Sequence, residues 1–422
     1  MTTLAPESGR LATDLEALAE FHDPELSGWS REAFSSPYRA AREWVRATMS
    51  GAGLEVHIDA AGNVIGRLAG RDPAKPPLVT GSHTDTVSQG GRYDGVVGVL
   101  SGIEVARRLR ETGTRLERDL LVVDFLGEEA NEFGVSCLGS RAITGQLIPE
   151  HLDRTDGTGL ALGRAFESFG LDGGAATRIA WAAKGIHAYL ELHIEQGPLL
   201  ERSGEQIGVV TAIAGIDRVL ASFSGLAGHA GTMPMAERHD ALVAAAEAVL
   251  IVERVGCGAP GHGVATSGRI ESSPGSMGVI TDRARLWAEL RSVDPSWLHG
   301  ARRQIVDEIT AAARARGVEV ETEYLTDQDP VPAAAPVQDL IATTASDLGY
   351  TWKAVPSGAG HDAAHLARLG PMGMIFVPSV GGLSHCPQEF TAAADIARGA
   401  HVLAEALVAL DREPLPRSAF SR

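Results

Sequence analysis

The sequence predicts an α/β fold: a main domain built on a central, mainly parallel sheet, with a smaller α+β domain inserted in it. Three observations carry this. Short apolar runs alternate with helical periodicity in the first half of the chain. The pattern changes near Ile213 to alternating strands and an Ala-rich helix. Beyond the Pro330-Val331-Pro332 stretch the first pattern resumes. A length of 422 residues suits such a division, since domains run to about 100–200 residues.

Taken in order, residues 11–53 read as helical, with apolar positions at Leu15, Leu18 and Phe21, then Trp44, Val45 and Met49 in a second helix closed by Gly51 and Gly53. Pro77-Leu78-Val79-Thr80 and the run Leu120–Phe125 read as buried strands, with a helix over Val96–Arg110 between them. Tyr189–Ile194 is a third strand, ended by Gly197-Pro198. In the insertion, Arg218–Phe223, Arg285–Leu290 and Val318–Tyr324 alternate as strands do, and helices cover Asp240–Val255 and Leu298–Arg316. Asp327 to Pro332 is the return linker, followed by a helix at Val337–Leu348 and a strand at Met372–Val377. The boundaries follow: 1–214 and 327–422 form the main domain and 215–326 the inserted one.

Composition narrows the function. Hydrophobic residues make up 44% and charged residues 22%, which excludes disorder and fibre. No run approaches the roughly 18 apolar residues of a membrane helix. The N-terminus lacks a basic start with an apolar stretch behind it, and the three cysteines (Cys137, Cys257, Cys386) form no disulfide framework. A cytoplasmic protein is expected, without a membrane partner. Lys plus Arg minus Asp plus Glu is 37 − 54 = −17, with no basic cluster, so a nucleic-acid partner is not expected either. None of Lys75, Lys184 and Lys353 follows a glycine, which removes the phosphate-binding P-loop. No GxSxG elbow is present.

Four motifs carry chemistry. In Gly81-Ser82-His83-Thr84-Asp85 the imidazole and carboxylate sit at i and i+2 after a buried strand, on the same side of an extended chain. That suits a metal ligand and its orienting acid, and equally a satisfied loop histidine. Asp94 follows in a glycine-flanked loop. Glu128-Glu129 ends an apolar strand, where open α/β sheets place ligands; a solvated acidic loop reads the same way. In Glu191-Leu192-His193-Ile194-Glu195 three polar residues alternate with apolar ones, and His385 lies in a loop after the last strand. Histidines and carboxylates at several strand ends suit Zn²⁺, Mn²⁺, Co²⁺ or Ni²⁺. They are too many for one tetrahedral ion with an open position, whereas two ions sharing a carboxylate would use them.

With these motifs in hand, the chain resembles a known family. GSHTDTV, GGRYDGVVGVL, GEEANEFG, ELHIEQGPLLE, GHAGTMPMAERHDA, SGAGHDA and GLSHCPQE occur in the order found in the binuclear metal-dependent amidases of the N-carbamoyl-L-amino-acid hydrolase, allantoate amidohydrolase and β-ureidopropionase group. The resemblance implies a metallopeptidase-like catalytic domain and an inserted dimerisation, or lid, domain. It implies two divalent ions per subunit, Zn²⁺ first and Mn²⁺, Co²⁺ or Ni²⁺ as alternatives. Asp94 would bridge them, with His83 and His193 on one ion and Glu129 and His385 on the other. Asp85 would orient His83, and Glu128 would be the general base for a metal-bridging water.

By the same resemblance His229 would reach into the partner's site of a homodimer as an oxyanion donor; a bare interface histidine is the alternative. Arg291 would bind a carboxylate on a small-molecule substrate, and Gln196, Gly360 and His361 would line the substrate site. Cys386 reads as a packing residue. The implied activity is hydrolysis of an amide or ureido C–N bond in N-carbamoyl- or related N-acyl-L-amino acids. An allantoate-type ureide amidohydrolase or a general N-acyl amino acid amidase is the runner-up, and a non-catalytic binding protein the reading from another class. The chain departs from the group at Gly275 and Gly278, where asparagines are usual, and at Gly215-Ile216-Asp217, where Gly-Gln-Arg is common.

Overall fold

The computed structural model describes residues 4–179, 181 and 185–415. Strands β1 (Glu55–Ile58), β2 (Val64–Leu68), β3 (Leu78–His83), β4 (Leu120–Phe125), β5 (Ala188–Ile194) and β6 (Ile207–Ile213) come first. They are followed by β7 (Gly215–Ser224), β8 (Gly228–His229), β9 (Val264–Ser273), β10 (Val279–Ile280), β11 (Arg283–Ser292) and β12 (Glu319–Gln328), then β13 (Val331–Pro332), β14 (Trp352–Ser357) and β15 (Met372–Val377). The chain divides into two compact units. One runs up to Thr211, resumes over Ala333–Val355 and continues from His361; the other is Ala212–Pro332 with Pro356–Gly360.

The sheet of the first unit has the order β1-β2-β4-β3-β5-β15-β6, with β14 on β6. Its middle strands β4, β3, β5 and β15 are parallel; β2 meets β4 and β6 meets β15 antiparallel. The edge strand β1 and its neighbour β2 are only four and five residues long, too short to show a hydrophobic period, which hid them from the sequence. From β3 the chain goes first to β4 on one side and then to β5 on the other. Loops diverge at such a reversal and leave a crevice at the carboxyl ends of the strands. The helix Val96–Glu111 returns from β3 to β4 and buries Val96, Leu100, Ile103 and Leu109 in one core with Leu190 and Leu192 of β5 and Leu403 and Leu407 of the helix Ala393–Arg412. That last helix was not anticipated.

The second unit is a four-stranded antiparallel sheet, β12-β7-β11-β9. One face packs Val219, Ala221, Phe223, Leu286 and Leu290 against the helices Ala241–Cys257 and Pro295–Ala315. Both helices start on an aspartate, Asp240 and Asp294, whose carboxylate accepts backbone N–H bonds from the first turn. The strand β9 escaped the sequence reading because it is an edge strand exposed along most of its length, with no apolar alternation to mark it. The expected return linker carries the end of β12 and the short β13. Residues 356–360 join this unit because Ser357 O accepts from Ala214 N (2.9 Å) and Gly358 O from Arg291 Nη1 (3.3 Å). No helix among the described residues is long and apolar enough to cross a membrane.

Candidate metal centre

Three of the expected ligands, His83, Glu129 and His193, stand at or just beyond the carboxyl ends of β3, β4 and β5, and His385 lies in the loop that follows β15 and the turn Val380–Gly382. The fifth, Asp94, lies in the loop that enters the helix Val96–Glu111 and sits between the other four. Its Oδ1 is 3.1 Å from His193 Nε2 and 3.6 Å from His83 Nε2. Its Oδ2 is 3.0 Å from His385 Nε2, which is in turn 3.5 Å from Glu129 Oε1. His83, Asp94 and His193 thus make one group able to hold a cation, and Asp94, Glu129 and His385 a second.

The donor set fits cations. His83 Nδ1 meets the Asp85 carbonyl oxygen at 3.0 Å and His193 Nδ1 the Ile194 carbonyl oxygen at 2.9 Å. A carbonyl only accepts, so each Nδ1 carries a proton, and the neutral form of each ring would present its Nε2 lone pair on the side of the carboxylate oxygens. The Gly95 N–H also points at His193 Nε2 (3.2 Å). Glu129 Oε1 is buried and has no hydrogen-bond partner among the described residues. Burial and the Asp94 charge push the Glu129 carboxyl up to about 7. Burial also raises Glu128 well above the usual range, with Glu129 adding to it. The Asp94 contact lifts His385 to about 9. Burial opposes the charged form of Asp94 and of His83, but the histidines hold the Asp94 carboxyl well down, and Glu128, Asp85 and Asp94 hold His83 well up. Crowded buried carboxylates and outward-turned lone pairs are what a divalent cation neutralises.

Asp85 acts differently from the simple expectation. Its backbone carbonyl, not its carboxylate, is the nearest partner of His83 Nδ1; the carboxylate Oδ1 is 3.5 Å away. The carboxylate instead accepts from Glu128 N (3.2 Å) and Glu129 N (3.0 Å), fixing the loop that carries both glutamates. Glu128 Oε2 lies 3.6 Å from His83 Nε2, and its Oε1 faces the Cys137 thiol at 3.5 Å.

Gln196 donates from Nε2 to Asp94 Oδ2 (2.7 Å), and its Oε1 is buried with no hydrogen-bond partner among the described residues. The His361 ring stands edge-on to His193, centroids 4.6 Å apart. The two other acids of the β5 motif have different partners. Glu191 accepts from Ser82 Oγ and the Tyr189 hydroxyl, while Glu195 caps the helix Leu199–Ser203 through Leu199 N and Leu200 N.

His229, Arg291 and Gly360 belong to the second unit. His229, exposed on β8, accepts from Gly231 N at Nδ1 (3.0 Å), so its neutral ring carries the proton on Nε2. The β8 strand pairs with β10, and Ala230 N donates to Gly278 O (2.9 Å), laying the departing Gly275–Gly278 segment beside His229. Arg291 bonds Glu289 Oε1 (2.7 Å) as well as Gly358 O. Gly360 faces the Ile216 side chain. Asp217, the other departure, is fully buried against Arg302 (3.0 Å).

Sequence reasoning missed Glu389, Ser384, Cys137 and Asp362. Glu389 is buried and accepts from Tyr93 N (2.8 Å) and Asp94 N (3.1 Å). Asp362 accepts from Ser140 Oγ, and burial holds its carboxyl well above the usual range. Ser384 and Glu389 lie in the GLSHCPQE motif and Asp362 in SGAGHDA without a role read for them, and nothing in the sequence marked Cys137, which enters its helix at a φ of 55°, unusual for a non-glycine residue.

A family model, "Peptidase family M20/M25/M40", matches residues 79–409. An N-carbamoyl-L-amino acid amidohydrolase of Geobacillus stearothermophilus is 38% identical over 394 residues, covering 93% of this chain and 96% of that protein. A ureidoglycolate hydrolase of Arabidopsis thaliana is 36% identical, covering 97% and 88%. The crystal structure of a hydantoinase/carbamoylase family amidase from Burkholderia multivorans superimposes with a TM-score of 0.87 at 34% identity, covering 98% of this chain and 100% of that one.

Proposed function

The chain belongs to peptidase family M20/M25/M40 and is a hydrolase of C–N bonds outside peptide linkage, and on that premise we propose that it hydrolyses the ureido bond of N-carbamoyl-L-amino acids. A carbamoyl substrate and water would give the free amino acid, CO₂ and ammonia. The observation that carries the reading is Asp94, which offers one carboxylate oxygen to His83 and His193 and the other to His385 beside Glu129. These five residues would hold two divalent ions, Zn²⁺ in the first place. Such ions supply Lewis acidity, lowering the pKa of water and polarising a carbonyl.

Glu128 is the proposed general base. It is buried, its proton affinity is raised, and it is not needed as a ligand. It would take a proton from the attacking water and return it to the leaving nitrogen. Asp85 keeps Glu128 and Glu129 in place through their backbone amides. Gln196 Oε1 retains a free acceptor for a substrate N–H, and His361 closes the same side at His193.

The second unit would supply the rest: 215–326 as the dimerisation domain of a cytoplasmic homodimer, His229 as an Nε2–H donor to the developing oxyanion in the partner subunit's site, Arg291 for the substrate carboxylate, and Gly360 as a lining residue. The Arabidopsis relative's name gives ureidoglycolate, a ureide, as the alternative substrate class, and allantoate is the ureide that the sequence resemblance offers beside it. Metal-reconstituted protein assayed on N-carbamoyl amino acids, allantoate, and N-acetyl or N-formyl amino acids decides. Amine release chiefly from the N-carbamoyl series is expected. Release confined to allantoate, or to the N-acyl compounds, would replace this reading.

A further inference from the structure

Glu389 comes from the loop that carries His385, yet its carboxylate serves Asp94. Oε1 accepts two backbone bonds, from Tyr93 N at 2.8 Å and Asp94 N at 3.1 Å, and Oε2 accepts from Ser384 Oγ at 2.7 Å. A serine hydroxyl has one proton. With that proton on Glu389, the Ser384 oxygen is left to accept from Gln196 Nε2 at 3.4 Å, and the other Nε2 hydrogen goes to Asp94 Oδ2 at 2.7 Å. The bonds close a ring that leaves the Asp94 backbone through Glu389, Ser384 and Gln196 and returns to the Asp94 side chain. The ring has no slack at its other margin. A Cβ on Gly91 would lie 2.1 Å from the Glu389 carboxylate.

The ring touches only one oxygen of Asp94. Gln196 and Ser384 both face Oδ2, the oxygen 3.0 Å from His385, whereas Oδ1 faces His83 and His193. We propose that Glu389 is a positioning residue for the ion held by Asp94, Glu129 and His385, acting through Ser384 and the Asp94 backbone and setting that ion's affinity apart from its neighbour's. The inference rests on the two-ion reading above. In Glu389→Gln an amide N–H faces Ser384 Oγ, so the serine proton must turn toward Asp94 Oδ2. A second donor then competes with the cation for that oxygen.

The test is equilibrium dialysis of the full-length, metal-free protein against buffered Zn²⁺, with thermal melting of the same metal-free samples. Wild type should take up two ions. Glu389→Gln should bind one of them with wild-type affinity and the other about 10- to 100-fold more weakly, the range found when outer partners of metal ligands are lost. Ser384→Ala should weaken the same ion less, with unchanged melting. Adding Glu389→Gln to Glu129→Gln should leave the remaining ion's affinity where Glu129→Gln alone puts it. Two ions bound by wild type, with both weakened equally or neither weakened in Glu389→Gln, would overturn this inference alone. Fewer than two ions on wild type would overturn the two-ion reading and this inference with it. If metal-free Glu389→Gln melts well below wild type, Ser384→Ala decides by the same criterion.

Discussion

A Cβ placed on Gly95 would lie 2.4 Å from Nε2 of His83. The loop carrying Asp94 therefore approaches the histidine as closely as its backbone allows, and Gly95 itself has φ +66°. A left-handed conformation costs a non-glycine residue about 1–2 kcal/mol, and here the side chain would also displace the His83 ring. Gly95→Ala is expected to fold with a modestly lower melting temperature and to lose the ion at His83 and His193 first. Metal analysis of the purified variant checks this; a full complement of ions would show that the close approach has no bearing on binding.

The adjacent glutamates should separate by phenotype. Glu128→Gln keeps its shape but cannot accept a proton, so it should retain the metals and lose about 10²- to 10⁴-fold in kcat, the usual contribution of a general base. Glu129→Gln should weaken metal binding instead. Steady-state kinetics beside metal analysis resolves the pair, and reversed phenotypes would mean the roles are exchanged.

The histidines and acids of this centre were legible because each lies in a short motif at a strand end, and parallel strands gather their carboxyl ends on one side. What they are bonded to was less so. Alternation in the β5 motif marked Glu195 as strongly as His193, yet Glu195 caps the next helix through two backbone amides. Glu389 stood in the GLSHCPQE motif without a role of its own, since it acts on backbone N–H groups 296 and 295 residues away, which carry no side-chain signature. In the fold, buried β3, β4 and β15 were visible as apolar runs. Exposed β9 was not, because an edge strand with two wet faces needs no hydrophobic period.

Metal uptake should release protons. In the metal-free protein the bond to Asp94 lifts His385 to about 9 and burial lifts Glu129 to about 7. At neutral pH His385 is then mostly protonated and Glu129 about half so, and an ion must displace those protons to bind. Zn²⁺ affinity is therefore expected to rise from neutrality toward about pH 9, where His385 gives up its proton without help. Calorimetric titration in two buffers of different ionisation enthalpy measures the release. Identical heats in both buffers would show that the ligands are already deprotonated.

If His229 acts in the partner subunit, two inactive chains should complement each other. Mixed His229→Ala and Glu128→Gln chains that exchange subunits should regain activity, since each hybrid holds one intact composite site. Subunit exchange demonstrated without recovered turnover would place His229 in its own chain's site or outside catalysis.

Asp94 is proposed as the carboxylate shared by two ions, and metal analysis of Asp94→Ala tests that sharing most directly. Metal-loaded wild type should hold close to two divalent ions per chain, chelation should abolish turnover, and Asp94→Ala should lose both ions together. An Asp94→Ala protein that is folded and still holds two ions would show that Asp94 does not bridge them.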